Sequence, residues 1–130
     1  MASLNSYRVG AVIAVSDMPR AQEFYEGKLG LSAEAEDQPD GGRRYICADG
    51  TSLDVYPSPA HAGKGTATLA GWDVDDVEQV VDELTSSGVT FERYDEPGIR
   101  TDEKGIAVDD DVKAAWFKDP DGNTFALVGR

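Results

Sequence analysis

The string Asp119-Pro120-Asp121-Gly122-Asn123 lies between two apolar runs, residues 114–117 and 125–128. Asp-Gly between hydrophobic segments is a strong short-range hairpin signal. A weaker copy, Asp49-Gly50-Thr51, joins two further strand-like runs. A chain that uses the same device to close two hairpins reads as two related halves, and that repeat limits the fold more than any other feature of the sequence.

Hydrophobic periodicity fills in the halves. Residues 7–15 read as a buried strand rich in Val, Ile and Ala. Ser16 or Asp17 caps a following helix, Pro19 lies in its first turn, and Ala21, Phe24, Tyr25 and Leu29 fall at helical spacing before Gly30. Residues 32–37, 43–48 and 51–57 then read as three strands. A Pro-, Ala- and Gly-containing linker covers residues 58–65, after which the pattern restarts. Residues 67–74 form a strand, Asp75 or Asp76 caps a helix carrying Val77, Val80, Val81 and Leu84, and Gly88 ends it. Residues 90–94, 112–118 and 124–128 complete the second half. Asp17 to Gly30 and Asp75 to Gly88 are both thirteen-residue intervals, offset by 58 positions, whereas Gly50 and Gly122 are offset by 72. The second half therefore carries about 14 extra residues. The aperiodic stretch 97–111 fits that insertion and reads as a lid or binding loop.

The expected fold is α+β: one domain spanning residues 1–130, built from two βαβββ modules at about 7–57 and 66–130. Its eight strands form a curved mixed sheet around a central cleft, with each half burying one sheet face under its helix. Period-2 alternation sorts the faces. Val9, Ala11, Ile13 and Val15 oppose Gly10, Val12 and Ala14; Leu53 and Val55 oppose Ser52, Asp54 and Tyr56. In the second half Ala70, Trp72 and Val74 oppose Leu69, Gly71 and Asp73, and Phe125 and Leu127 oppose Thr124, Ala126 and Val128. The larger apolar set of each strand is expected under the helix. Phe117 then joins the core, while Val112, Ala114 and Trp116 turn to the cleft, as do Arg43, Tyr45 and Cys47.

Composition narrows the function. The chain holds 25 acidic and 12 basic residues, for a net charge of −13. A surface that acidic repels phosphate backbones and anionic membranes, so neither nucleic acid nor membrane is an expected partner. No stretch approaches the ~18 apolar residues of a membrane span. The opening Met1-Ala2-Ser3-Leu4-Asn5-Ser6 lacks the basic stretch and long apolar run of a secretion signal, so a cytoplasmic location is expected. The single cysteine, Cys47, excludes an internal disulfide and a multi-cysteine metal site. It reads as a small buried thiol, and the single histidine, His61, as a solvated linker residue. Asp119, Asp121 and Asn123 read as turn formers, and Trp72 as core.

Val15-Ser16-Asp17 leading into Ala21-Gln22-Glu23-Phe24-Tyr25, then Leu29-Gly30-Leu31, resembles the glyoxalase/bleomycin-resistance/dioxygenase group, the vicinal oxygen chelate superfamily. Trp72-Asp73-Val74-Asp75-Asp76, Ser87-Gly88-Val89 and the string from Ala115 to Asn123 extend the resemblance over nearly the whole chain. It implies paired β-α-β-β-β modules closing around a cleft, and homodimers. It also implies a divalent metal held by His or Glu from the first and fourth strands of each module. Carried across, those positions fall on Gly10, Asp54, Leu69 and Ala126, of which Asp54 alone has a ligating side chain.

A catalytic metal normally takes about three protein ligands with one position open, so no metal and no cofactor are expected. The resulting expectation is a non-enzymatic binding protein holding a small organic molecule between the modules, walled by Val12, Tyr45, Asp54, Tyr56, Leu69, Trp116 and Ala126. One alternative is a lyase, isomerase or dioxygenase with a rearranged or subunit-shared metal site. Another is an interaction module whose cleft is plugged by side chains.

Overall fold

A computed structural model describes residues 3–130, so Met1 and Ala2 of the opening stretch lie outside the described residues. The chain divides into two compact units, the first ending at Gly63 and the second running Lys64–Arg130.

In the first unit a short 3-10 turn, Leu4–Ser6, precedes strand β1 (Ala11–Val15). Helix α1 (Met18–Gln22) follows and runs on as a π-turn, Glu23–Lys28; strands β2 (Arg43–Ile46) and β3 (Ser52–Pro57) complete the unit. The sheet order is β1-β3-β2, with β1 parallel and β2 antiparallel to β3. The second unit contains β4 (Thr68–Asp73), helix α2 (Val77–Ser86), a small hairpin of β5 (Asp95–Glu96) and β6 (Ile99–Arg100), then β7 (Ile106–Asp109), β8 (Val112–Lys118) and β9 (Thr124–Gly129). Its main sheet has the order β4-β9-β8-β7, again with the first strand parallel to the last and the others antiparallel. The repeat is thus present as topology: strand, helix, and a hairpin whose second strand returns beside the first.

Several expected elements change. The four strands expected in each half become three in the first sheet, and four plus a separate two-stranded hairpin in the second unit. Residues 32–37 shrink to one bridge, Ala33 to Tyr45, because Ser-Ala-Glu-Ala-Glu-Asp contains no β-branched or aromatic side chain to hold a strand. Residues 90–94 shrink to a bridge between Phe91 and Phe117, because β7 takes the same edge of β8 over Val112 to Ala115. The stretch 97–111 is accordingly not an unstructured lid. Its first part holds β6 of a hairpin, and its last part is edge strand β7, turned into β8 through Asp110 at φ 54°.

The helix caps are Asp17, whose carboxylate accepts from Arg20 N at 3.1 Å, and Asp76, which accepts from Gln79 N at 3.1 Å. Asp76, not Asp75, sets the second interval, which is therefore one residue shorter than the first. The first helix absorbs its extra residue in the π-turn, where Leu29 N donates to Phe24 O five residues back, at 3.0 Å. A single π-turn is a one-residue insertion into a helix.

The two hairpin turns also differ. Asp49 (φ 57°) and Gly50 (φ 76°) both lie in the left-handed region, and Thr51 N donates to Ala48 O at 3.0 Å. This is the primed two-residue turn whose twist matches the strands it joins. In the other hairpin Asp119 is the organiser. Its carboxylate accepts from Asp121 N and Asn123 N, each at 2.9 Å, and from Asn123 Nδ2 at 2.8 Å, so the turn-forming reading of these residues holds.

The first core sets Ile13, Val15, Leu53 and Val55 with Phe24 and Tyr25 of the helix. The second is aromatic. Phe117 is fully buried, with ring centres 5.6 Å from Phe91, 5.7 Å from Phe125 and 6.1 Å from Trp72, which places Trp72 with the core as expected.

Candidate functional site

Register puts three of the expected first-half residues, Val12, Asp54 and Tyr56, on one face. Val12 pairs across the sheet with Asp54, and Asp54 with Arg44 on the other side, so the three side chains form one row on one face. Tyr56 lies on that same face, two residues beyond Asp54. Above it the turn 38–42 arches back, with Gln38 N donating to Gly42 O and Gly42 N to Asp40 Oδ1. An open cavity of about 360 Å³ lies there, touching Val12, Asp54 and Tyr56 on the sheet and Pro39, Asp40 and Gly42 on the turn. Val12 is 64% exposed, an unusual position for a valine in the middle of a strand.

Arg44 holds Asp54 through both carboxylate oxygens: Nε donates at 2.8 Å and Nη2 at 3.3 Å. That two-pronged contact, ahead of the general attraction of the carboxylate, raises the guanidinium pKa above its ordinary value. Of the neighbouring Arg43 and Arg44, Asp54 takes Arg44, its register partner on the same face, whereas Arg43, expected at the cleft, turns the other way.

Tyr45 is a correction. It belongs to the opposite phase of β2, fully buried under the helix, and not to the open face. Its ring stacks on Tyr25 at 5.9 Å and its hydroxyl donates to Glu26 Oε2 at 2.9 Å. Burial first, then that hydrogen bond, pushes the phenol above the usual tyrosine range. Arg43 shares this phase, donating to the same Glu26 oxygen at 3.2 Å and pairing with Asp37 at 3.3 Å. Alternation shows which residues share a face; the acceptor on the helix decides which face turns inward.

In the second unit Trp116 and Ala126 are register partners on the face opposite the aromatic core, and Gly71 flanks Ala126. Leu69 is 47% exposed and sits at a break in register between Thr68 and Ala70. Tyr94 joins this group, its ring edge-on to Trp116 at 5.7 Å. The sequence carried a signal for it: Thr90, Glu92 and Tyr94 share one strand phase, and Glu92 N indeed donates to Trp116 O at 2.8 Å.

The residues at the expected ion-holding positions do not suit a divalent metal. Gly10, Leu69 and Ala126 carry no donor side chain, and the one carboxylate, Asp54, is engaged by Arg44. A Cβ at Gly10 meets Ser52 Oγ at 2.6 Å, so a longer ligating side chain there requires Ser52 to move. Among the described residues no three His, Cys, Asp or Glu side chains gather as a metal group. No helix among them is long and apolar enough to cross a membrane.

Solved structures share this architecture. An antibiotic binding protein from Streptomyces sp. CB03234, TnmS3, is 23% identical with a TM-score of 0.66, over 95% of this chain and 94% of that one. A glyoxalase/bleomycin resistance protein from Catenulispora acidiphila DSM 44928 is 22% identical with a TM-score of 0.68, over 95% and 97%. A glyoxalase family protein from Bacillus anthracis is 16% identical with a TM-score of 0.71, over 95% and 94%. At these identities the likeness is one of fold. No curated protein matches the sequence. The family model described as Glyoxalase/Bleomycin resistance protein/Dioxygenase superfamily matches residues 8–127, from ahead of β1 into β9. With the repeated strand–helix–hairpin topology in both units, that match over nearly the whole sequence makes this chain a member of the glyoxalase/bleomycin resistance protein/dioxygenase superfamily.

Proposed function

We propose that this chain binds a small organic molecule on the open face of the first unit, against Val12, Asp54 and Tyr56, without a metal. The observation that carries the reading is the cavity of about 360 Å³ bounded by an exposed apolar side chain, an aromatic ring and a carboxylate. Binding sites of about 300–1,000 Å³ commonly combine apolar walls with a few placed polar groups. Val12 and Tyr56 supply contact area. Asp54 supplies direction, and Arg44 keeps its charge balanced when no guest is present. One structural neighbour is named an antibiotic binding protein, which agrees with a binding role on this fold. Leu69, Trp116 and Ala126, with Tyr94, form a second apolar patch suited to a flat guest. Pairing of two copies belongs to the same proposal and is read by light scattering.

The test is calorimetric titration, with thermal midpoints, using bleomycin, the aromatic cation proflavine and the aromatic anion 2-naphthoate. At least one probe binds and raises the midpoint of the wild type, since a ligand of the folded state alone must stabilise it. Asp54→Asn and Tyr56→Ala each weaken that probe at least tenfold. The proposal is lost if no probe binds, or if an Asp54→Ala/Tyr56→Ala double variant binds as the wild type does.

A further inference from the structure

We infer that the second unit carries a separate recess for a small zwitterion with an apolar body, the chemical class of the free apolar amino acids. It shares no residue with the site proposed above and stands independently of it. A cavity of about 600 Å³ opens beside α2, between the helix flank, the segment after it and the turn that leads into β7. Its floor is apolar: Val81, Val89 and Phe91 are each buried. Its rim carries Arg93 and Glu103, opposite charges for which no ion pair or side-chain hydrogen bond exists among the described residues.

The far wall is already fixed. Lys104 Nζ reaches Asp82 Oδ1 at 3.1 Å, tying the turn to the helix across 22 positions of sequence. Asp102 Oδ1 accepts from Lys104 N and from Ile106 N, each at 2.9 Å, which sets the backbone of the turn. Gly105 lies so close to the neighbouring segment that a Cβ meets Phe91 Cβ and Glu92 O, each at 2.9 Å. A wall held this way needs little ordering when a guest arrives, which favours binding.

The charges select the guest. Lys104 and Asp82 neutralise each other, which leaves Arg93 for a carboxylate and Glu103 for an ammonium. A plain anion meets Arg93 but leaves Glu103 opposing it within a chain of net charge −13. A plain cation leaves the guanidinium unmatched. A zwitterion satisfies both groups while its apolar body lies against the Val81, Val89 and Phe91 floor, and the driving force comes mainly from taking that body out of water.

The experiment is calorimetric titration of the full chain with L-phenylalanine, 3-phenylpropionate and 2-phenylethylamine. L-phenylalanine binds, and each analogue lacking one charge binds at least tenfold more weakly. Arg93→Met and Glu103→Gln each weaken L-phenylalanine at least tenfold while keeping the wild-type urea midpoint, because both side chains are exposed. Asp54→Asn leaves this binding unchanged, which separates the recess from the first-unit site. The inference is overturned if L-phenylalanine gives no heat at millimolar concentration. It is equally overturned if the singly charged analogues bind as tightly, or if the Arg93 and Glu103 variants bind as the wild type does.

Discussion

In the first unit the sheet meets its helix through a polar anchor, with Tyr45 and Arg43 converging on one oxygen of Glu26. In the second unit the corresponding layer is a stack of rings, with Phe117 touching Phe91, Trp72 and Phe125. The open faces differ in the complementary sense. The first carries the row Val12, Asp54 and Arg44 with its ion pair, and the second Trp116 and Gly71 on either side of the buried Ala126. One topology therefore accommodates opposite placements of polarity, provided every buried polar group finds a partner.

The largest test of this contrast is Phe117→Ala. Removing a fully buried ring at the centre of the cluster costs about 3–5 kcal/mol in urea unfolding. A loss below about 1 kcal/mol, at the low end for any core truncation, shows that the rings are not what holds the second unit.

Asp119→Ala comes next. It leaves the buried Asn123 N–H and the Asn123 amide without their acceptor and lowers stability by about 2–3 kcal/mol. If it costs no more than an exposed substitution, the two hairpin turns are equivalent and the comparison between them fails.

Tyr45→Phe removes one donor from Glu26 while Arg43 remains, and costs about 1–2 kcal/mol at neutral pH. Its sharper signature is pH. The folded state holds the Tyr45 phenol above its unfolded value of 10.0, so this contribution is complete below that pH. As pH rises further, the unfolded chain loses the proton first and stability falls. Midpoints measured between pH 8 and pH 11 drop more steeply for the wild type than for Tyr45→Phe; parallel curves sink the polar-anchor account.

The smallest effect belongs to Asp49→Gly. Asp49 adopts a left-handed conformation that glycine enters more readily, so the substitution stabilises the first hairpin by less than about 1 kcal/mol. A loss of stability instead assigns the Asp49 side chain a role beyond the turn.

Much of this was legible in the residues because it depends on local chemistry. Helix starts follow from Asp17 and Asp76, helix ends from Gly30 and Gly88, and the hairpins from Asp49-Gly50 and the Asp119 turn. Strand phase follows from alternation, which is why Val12, Asp54 and Tyr56 were recognised as neighbours. The failures came where two segments compete or where a face must choose its partner. Residues 90–94 have strand character but lose most of the β8 edge to β7, and Tyr45 suits either face until Glu26 presents itself as acceptor.

The sequence by itself determined the duplicated α+β topology and the turn chemistry, because each depends on residue type and short-range spacing. Tertiary structure alone decided that Asp54 belongs to Arg44, that Tyr45 is core, and that Arg93 and Glu103 share the rim of one recess. Those relations join residues beyond helical or strand-periodic spacing, and their geometry exists only once strand register and helix packing have brought them together.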